Sequence, residues 1–260
     1  MAKKPTWVID KERGKRAAAA ETLWLFGLHA VRDALSNPGR EVLRLVVSKN
    51  AGDKLADAIA ARGIEAEIAD PRKFPVPLDA GSVHQGAAVE VKPLDWGDWR
   101  ALARGDGSER SVVVLLDRVS DPHNVGAILR SAEVFGARAV IAPARHSAPE
   151  TGALAKTASG ALERMPYARV GNLGDAMEAL KADGFWMVGL AEEGAEDVSA
   201  VAARHAESNI ALVLGAEGPG LRERTRGLCD ELAKIPFARD FGSLNVSNAA
   251  AVALYALTKG

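Results

Sequence analysis

The chain has 260 residues and a mass of 27.3 kDa, enough for one or two domains that bury about 70% of the unfolded surface. Hydrophobic residues make up 48%, charged residues 26% and aromatic residues 5%, with a formal net charge of −1, which excludes collagen-like, mucin-like and wholly disordered chains. No stretch approaches ~18 uncharged apolar residues, so no membrane span is expected. The lone cysteine, Cys229, excludes an intrachain disulfide and a cysteine-based zinc cluster, and a reducing cytoplasmic setting fits.

Residues 1–20 carry Lys3, Lys4, Lys11, Arg13, Lys15 and Arg16 against Asp10 and Glu12, a charge of +4. No apolar core of signal-peptide length follows, so this segment reads as a basic, disordered arm suited to nucleic acid phosphates. Residues 21–260 then carry −5. Residues 23–26 are a short apolar strand. A helical pattern opens at Gly27-Leu28-His29-Ala30, runs to Leu35 and stops at Asn37-Pro38-Gly39. Residues 42–47 are β-branched, 53–61 are alanine-rich and helical up to Gly63, and 64–68 and 87–91 are further strands. Together residues 21–92 make a small α/β unit. Residues 93–110 read as a hinge-like linker, with Trp96 and Trp99 followed by Gly, Ser and alternating charge.

From Ser111 the pattern changes. Residues 112–116 are a continuous apolar run, as in a strand buried on both faces. A helix over 125–135 follows, then strands at 139–142 and 167–170, a helix at 175–182, strands at 185–190 and 210–214, and an alanine-rich helix at 244–258. This alternation predicts an α/β fold with a mainly parallel sheet and helices on both faces, over 111–260.

Three segments of this second region carry chemistry. The first, DRVSDPHNVGAILR over 117–130, sits where a buried strand gives way to a helix, the usual ligand position in open α/β sheets. Asp121 or Asn124 is placed to cap the helix, and six residues separate Asn124 from Arg130, which suggests one shared face. The second, LGAEGPGL over 214–221, is neither a Walker loop nor a dinucleotide fingerprint, because its glycine spacing is wrong for both. Glu217 within it would repel a phosphate. The third joins Ile235-Pro236-Phe237 to Ser243-Leu244-Asn245-Val246-Ser247-Asn248, four neutral hydrogen-bonding side chains at a helix start, more than a cap requires. No histidine or cysteine spacing suits a metal.

In order and spacing these segments (DRVSDPHNVGAILRSAEVFGA, LVLGAEGPGL and IPF…SLNVSNAAAVALY) resemble the three motifs of the SpoU, or TrmH-type, RNA ribose methyltransferases of the SPOUT class. Residues 23–92, with Val83-His84-Gln85-Gly86-Ala87, resemble the family's substrate-binding domain, and KTASGALERMPYARVGNL resembles the middle segment of its 23S rRNA guanosine 2′-O-methyltransferase branch. The resemblance implies a deep trefoil knot in the C-terminal domain, S-adenosylmethionine as methyl donor, an RNA substrate with rRNA favoured over tRNA, and a homodimer. By position it implies donor contacts at Gly215, Ile235 and Leu244, and catalytic or substrate roles for Asn124, Arg130, Glu217, Ser243 and Asn245. An arginine guanidinium stays charged in proteins, so Arg130 is read as a phosphate clamp and alkoxide stabiliser rather than a base, with Asn124 orienting it. His29 and His84 are candidate RNA contacts. The stretch from Phe237 to Phe241 departs from the more apolar, glycine-containing stretch of many relatives. An RNA-binding protein without catalysis and a nucleotide-dependent α/β enzyme are the rival classes. The first has no use for the donor-site pattern, and the second lacks a phosphate loop.

Overall fold

The computed structural model describes residues 22–78, 82–238 and 243–259. The expected basic arm over 1–20 lies outside these residues. Two compact units are formed: one from the residues up to Asp95 together with Glu150–Lys156, the other from Trp96–Pro149 and Thr157–Gly260.

The first unit holds a four-stranded sheet in the order β1-β4-β2-β3, with β1 (Leu23–Phe26), β2 (Val42–Val47), β3 (Ala66–Ile68) and β4 (Ala87–Val91). β4 is antiparallel to both its neighbours, and β3 runs parallel to β2. Helix α1 (Leu28–Ser36) buries Ala30, Val31, Ala34 and Leu35, a single apolar stripe at helical spacing. Helix α2 (Lys49–Arg62) is capped by Ser48, which accepts the Ala51 N–H, and ends at Gly63 in the left-handed conformation (φ 67°). Arg40 is fully buried. Its Nη1 donates to the Lys92 carbonyl at 2.8 Å and pairs with Glu150 at 3.3 Å, which ties the 150–156 segment to this unit. That segment opens helix α5 (Gly152–Ala158).

The second unit is built on seven strands in the order β7-β6-β5-β10-β8-β11-β9. These are β5 (Val112–Asp117), β6 (Ala139–Pro143), β7 (Tyr167–Val170), β8 (Trp186–Leu190), β9 (Glu196–Asp197), β10 (Ile210–Gly215) and β11 (Glu231–Lys234). Every pair is parallel. All six residues of β5 are buried, five of them apolar, as a strand covered on both faces requires. The flanking helices are α3 (Trp99–Arg104), α4 (Pro122–Val134), α6 (Leu173–Ala182), α7 (Val198–Arg204), α8 (Glu223–Leu228) and α9 (Val246–Lys259).

The 93–110 segment differs from the expected linker. Asp98 caps α3 by accepting the Arg100 N–H at 3.0 Å. The Arg100 guanidinium forks onto Asp183 at 2.5 and 2.7 Å and holds that carboxyl below its usual range. Ala103 is fully buried and Trp99 packs against the same core, so α3 is part of the second unit. Charge alternation hid this, because the decisive partner lies 83 residues away. β11 was also missed. Glu231-Leu232-Ala233-Lys234 has no β-branched residue and is a strand only through its pairing with β8 and β9. Among the described residues no helix is long and apolar enough to cross a membrane, and no group of three or more His, Cys, Asp or Glu side chains is placed to hold a metal.

Candidate active site

The carboxyl ends of the parallel strands carry the site. Asp121 settles the capping question for α4: its side chain accepts the His123 N–H at 2.9 Å and Pro122 occupies the first turn. Asn124 is thereby free for another task. It is buried, and its Nδ2 donates to Glu217 Oε1 at 3.2 Å. Asn245 Nδ2 donates to the same Glu217 oxygen at 2.5 Å and to Asn124 Oδ1 at 2.9 Å. One residue from each of the three segments thus meets in a closed triangle. Asn245 also caps α9: its Oδ1 accepts the Ser247 N–H at 2.8 Å and the Ser247 hydroxyl at 2.6 Å. The carbonyl side of one amide starts the helix while its NH2 side joins the site.

The loop holding Glu217 closes tightly. Gly220 N–H donates to the Ala216 carbonyl at 2.9 Å, and Gly218 and Gly220 have positive φ (80° and 66°). A Cβ on Gly215 would lie 2.2 Å from the Gly220 carbonyl carbon, so the loop's own backbone demands glycine there. Fully buried Asp117, the register partner of Gly215, anchors the far end by accepting Arg222 N–H at 3.0 Å and Arg222 Nε at 2.6 Å.

Beside the triangle lies a cleft of ≈ 610 Å³, lined by Gly215, Glu217, Ile235, Ser243, Leu244 and Asn245 among others. Every expected donor contact and three of the five expected catalytic residues line it. Asn124 joins through its hydrogen bonds. Arg130 does not line it. The expected shared face fails on geometry: six residues are 600° of helix, which leaves Asn124 and Arg130 about 120° apart. Arg130 is exposed on α4 and has no hydrogen bond or ion pair among the described residues, so Asn124 does not orient it. Asn124 orients Glu217 instead.

The cleft suits an S-adenosyl group. Its volume falls in the usual range for small-molecule sites. Leu190, Leu214, Ile235 and Val246 offer apolar walls for a base, and Glu192, Glu193 and Ser243 offer polar partners for hydroxyl and ammonium groups. Glu193 is held below the usual carboxylate range by its own backbone N–H and by its pair with Arg226. Glu192 and Glu193 follow β8 at the carboxyl edge of the sheet, the position in the sequence that marks them as site residues.

In the first unit, His29 is exposed at the start of α1 and His84 stacks on Phe74 with ring centroids 4.4 Å apart. His84 Nδ1 accepts the Gly86 N–H at 3.1 Å. Gln85 Oε1 accepts the Leu28 N–H at 3.0 Å, so the turns carrying the two histidines adjoin.

A parallel α/β sheet with a polar triangle and a small-molecule-sized cleft at its carboxyl edge defines an α/β ligand-binding protein. Residues 111–255 match the SpoU rRNA methylase family, and residues 24–96 match the substrate-binding domain of RNA 2′-O ribose methyltransferases. The chain is 39% identical over 240 residues to a 23S rRNA (guanosine-2′-O-)-methyltransferase, RlmB, of Photobacterium profundum, covering 89% of this chain and 95% of the relative. It is 37% identical over 238 residues to the RlmB of Escherichia coli K12, covering 89% and 96%. Among solved structures, the SpoU methyltransferase AviRb of Streptomyces viridochromogenes, in complex with the cofactor AdoMet, superimposes with a TM-score of 0.77 at 27% identity, covering 95% of this chain and 92% of that one. The chain belongs to the SpoU rRNA methylase family and is an RNA methyltransferase.

Proposed function

We propose that this enzyme transfers a methyl group from S-adenosylmethionine to the ribose 2′-hydroxyl of a guanosine in 23S rRNA, in the cytoplasm and as a homodimer. The observation that carries the reading is the Asn124–Glu217–Asn245 triangle beside the adenosyl-sized cleft, assembled from the three segments that carry the family resemblance. The RlmB relatives supply the RNA class. The trefoil knot expected for the family belongs to the same reading, since loop 215–221 and residues 243–246 line one cleft.

When bound, the donor supplies an electrophilic methyl carbon on a sulfonium. The ribose oxygen must lie in line with the carbon–sulfur bond, a positioning task that contributes roughly 7–11 kcal/mol to such reactions. Ile235 and Leu244 hold the donor's apolar parts, and the Gly215 backbone approaches without a side chain in the way. Glu217 uses Oε1 to accept two amides, which fixes its loop rather than making it the proton acceptor. Ser243 and the Asn245 amide hold ribose or guanine edges. Arg130, exposed and free of partners among the described residues, clamps an RNA phosphate and steadies the oxygen as charge develops on it. His29 and His84, on adjoining turns, contact RNA bases by stacking and edge hydrogen bonds.

The dimer has a place to form. Val252 and Tyr255, one turn apart on α9, are 43% and 58% exposed, and Val134, one turn from Arg130 on α4, is 70% exposed. The Tyr255 ring meets Phe135 edge-on at 5.9 Å, joining the two helices into one apolar face. A partner seated there lies beside Arg130, which fits an active site near the subunit seam.

Methylation mapping of total RNA from a deletion strain, with and without the restored gene, tests the function. One 2′-O-methylguanosine of 23S rRNA should vanish and return. A site lost from tRNA instead would reassign the substrate, and an unchanged RNA would end the proposal.

A further inference from the structure

A second cleft, of ≈ 340 Å³, opens at the carboxyl edge of the same sheet, at the ends of β5, β6 and β7. Arg118, Arg145, His146, Arg222 and Arg224 line it, and no acidic side chain does. These residues come from two loops and the start of α8, three segments far apart in the chain, so the cluster is not a basic run in the sequence. The contrast with the rest of the chain is sharp: residues 21–260 carry −5, yet four arginines converge here.

Two of the four are already matched. Arg222 pairs with buried Asp117 at 2.6 Å, and Arg224 pairs with Asp175 at 3.0 Å and Glu178 at 3.6 Å on α6. Arg118 and Arg145 are exposed and have no ion pair among the described residues, so about two positive charges stand uncompensated over the cleft. Leu173 and Gly174, in the first turn of α6, form part of the wall. A Cβ on Gly174 would lie 2.9 Å from Arg224 Nε, so the guanidinium rests directly on the positive end of a ten-residue helix. A cation at that end is unfavourable by itself. Asp175 and Glu178 offset it there, and an anion in the cleft would meet both the helix end and the guanidinium.

From these observations we infer that this cleft binds backbone phosphate of the RNA substrate, as a second anchoring site on the catalytic unit. The inference rests on the reading of the chain as an RNA methyltransferase. The shared ligand chemistry is a phosphate group. Two features favour a phosphodiester of RNA over a free anion, and a third argues against a bound nucleotide base. Arg118 and Arg145 are exposed residues, as a polyanion's outer face requires. Pro143 and Leu173 are the only large apolar lining residues, too little wall for a nucleotide base. The cleft also neighbours the donor cleft, because β5 pairs with β10 in register at Asp117 and Gly215. At about 4.8 Å per strand, β6 and β7 stand only about 10–15 Å from β10, a span one RNA strand bridges. Such a contact positions the strand without reading its sequence.

The test uses the full-length double variant Arg118→Asn/Arg145→Ala. Both side chains are exposed, and asparagine tolerates the positive φ of Arg118 (62°). RNA affinity is measured by fluorescence anisotropy across a salt series, on a 23S rRNA fragment carrying the target guanosine and on an unrelated hairpin of equal length. Losing two phosphate contacts should flatten the slope of log K against log salt by about 1.4–1.8 on both RNAs. S-adenosylhomocysteine affinity should stay within twofold. An unchanged slope on both RNAs, with the wild type methylating the rRNA fragment, overturns the inference and leaves the function standing. A flattened slope on both, with a wild type that does not methylate the fragment, supports the phosphate site and sinks the rRNA assignment instead. Calorimetric titration with inorganic phosphate separates the sources. Binding that the double variant abolishes, with an unchanged RNA slope, would make this a free-anion site and overturn the RNA assignment.

Discussion

Asn245 donates its Nδ2–H to Asn124 Oδ1 at 2.9 Å across 121 residues of chain, while its own Oδ1 starts the last helix. The two halves of one amide can be separated by mutation. Asn245→Ala removes both, and should cost about 1 kcal/mol of stability for the lost cap as well as methyl transfer. Asn245→Asp keeps the capping oxygen but sets a carboxylate against Glu217, so it should remain folded and lose at least tenfold in rate, roughly the scale of one misplaced site donor. Thermal unfolding beside single-turnover methylation checks this. An Asp variant as active as wild type would reduce Asn245 to a helix cap.

Arg130 makes the opposite case, since it is exposed and makes no hydrogen bond or ion pair among the described residues. Arg130→Ala should shift stability by less than about 0.5 kcal/mol, as exposed helix positions do, and leave donor affinity intact. Methyl transfer should still fall by roughly two to three orders of magnitude. Arg130→Lys should rescue little, because an ammonium lacks the planar fork. Donor titration and single-turnover kinetics on the same preparations decide it. Loss of donor binding in the alanine variant would move Arg130 into the cofactor site or the fold.

Much of this architecture was legible in the sequence. The continuous apolar run at β5, the alternation after it and the three polar segments placed the sheet and its functional edge. What was hidden depends on contacts far apart in the chain. Helix α3 was masked by its charges until Asp183 supplied a partner, and β11 by its composition until β8 and β9 supplied neighbours. The relation between Asn124 and Arg130 is set by local helix geometry alone. Spacing of three, four or seven shares a helix face; spacing of six does not. That Asn124 serves Glu217 could not be read, because Glu217 sits 93 residues downstream.

Gly215 links the loop to the donor cleft. Bulk at this position is expected to exclude the donor, but the first added carbon already meets the Gly220 backbone at 2.2 Å. Gly215→Ala should therefore open the 216–220 turn before anything reaches the cleft. We expect donor affinity to drop at least tenfold with a lower unfolding temperature, and Gly215→Val to be worse on both counts. Calorimetric titration with S-adenosylhomocysteine beside a melting curve tests this. A Gly215→Ala variant with wild-type stability and donor affinity would show that the turn adjusts at no cost.

Burial pushes the Cys229 thiol up from its ordinary value near 9 to about 12, with the neighbouring Asp230 adding to the shift. The thiolate is thus the disfavoured form in the folded state, and Cys229 should resist alkylation at pH 8 unless the chain unfolds. The same shift sets a sign for stability. The folded value lies above the unfolded one, so the contribution is fully present below about pH 9 and is lost as pH rises towards 12. Cys229→Ser should flatten the alkaline limb of the stability curve. Rapid labelling of the native protein, or an alkaline limb unchanged in the variant, would contradict this.

The last prediction concerns the apolar face of α4 and α9. Val134, Val252 and Tyr255 are exposed on two helices that pack together and are joined by the Phe135–Tyr255 contact. Burying them in a twofold interface would remove apolar area from water at about 25 cal/mol per Å². Tyr255→Glu puts a charge where the reading places a dry seam, and an unpaired buried charge is strongly destabilising to an interface. The variant should elute and scatter light as a folded monomer at concentrations where the wild type is a dimer. Because Arg130 lies one turn from Val134, methyl transfer should fall along with assembly. A second variant separates the seam from the fold: Tyr255→Phe keeps the ring and should stay dimeric and active. A wild type that is monomeric and active at working concentration would remove the dimer from the mechanism, and a Tyr255→Glu variant that still dimerises would place the seam elsewhere.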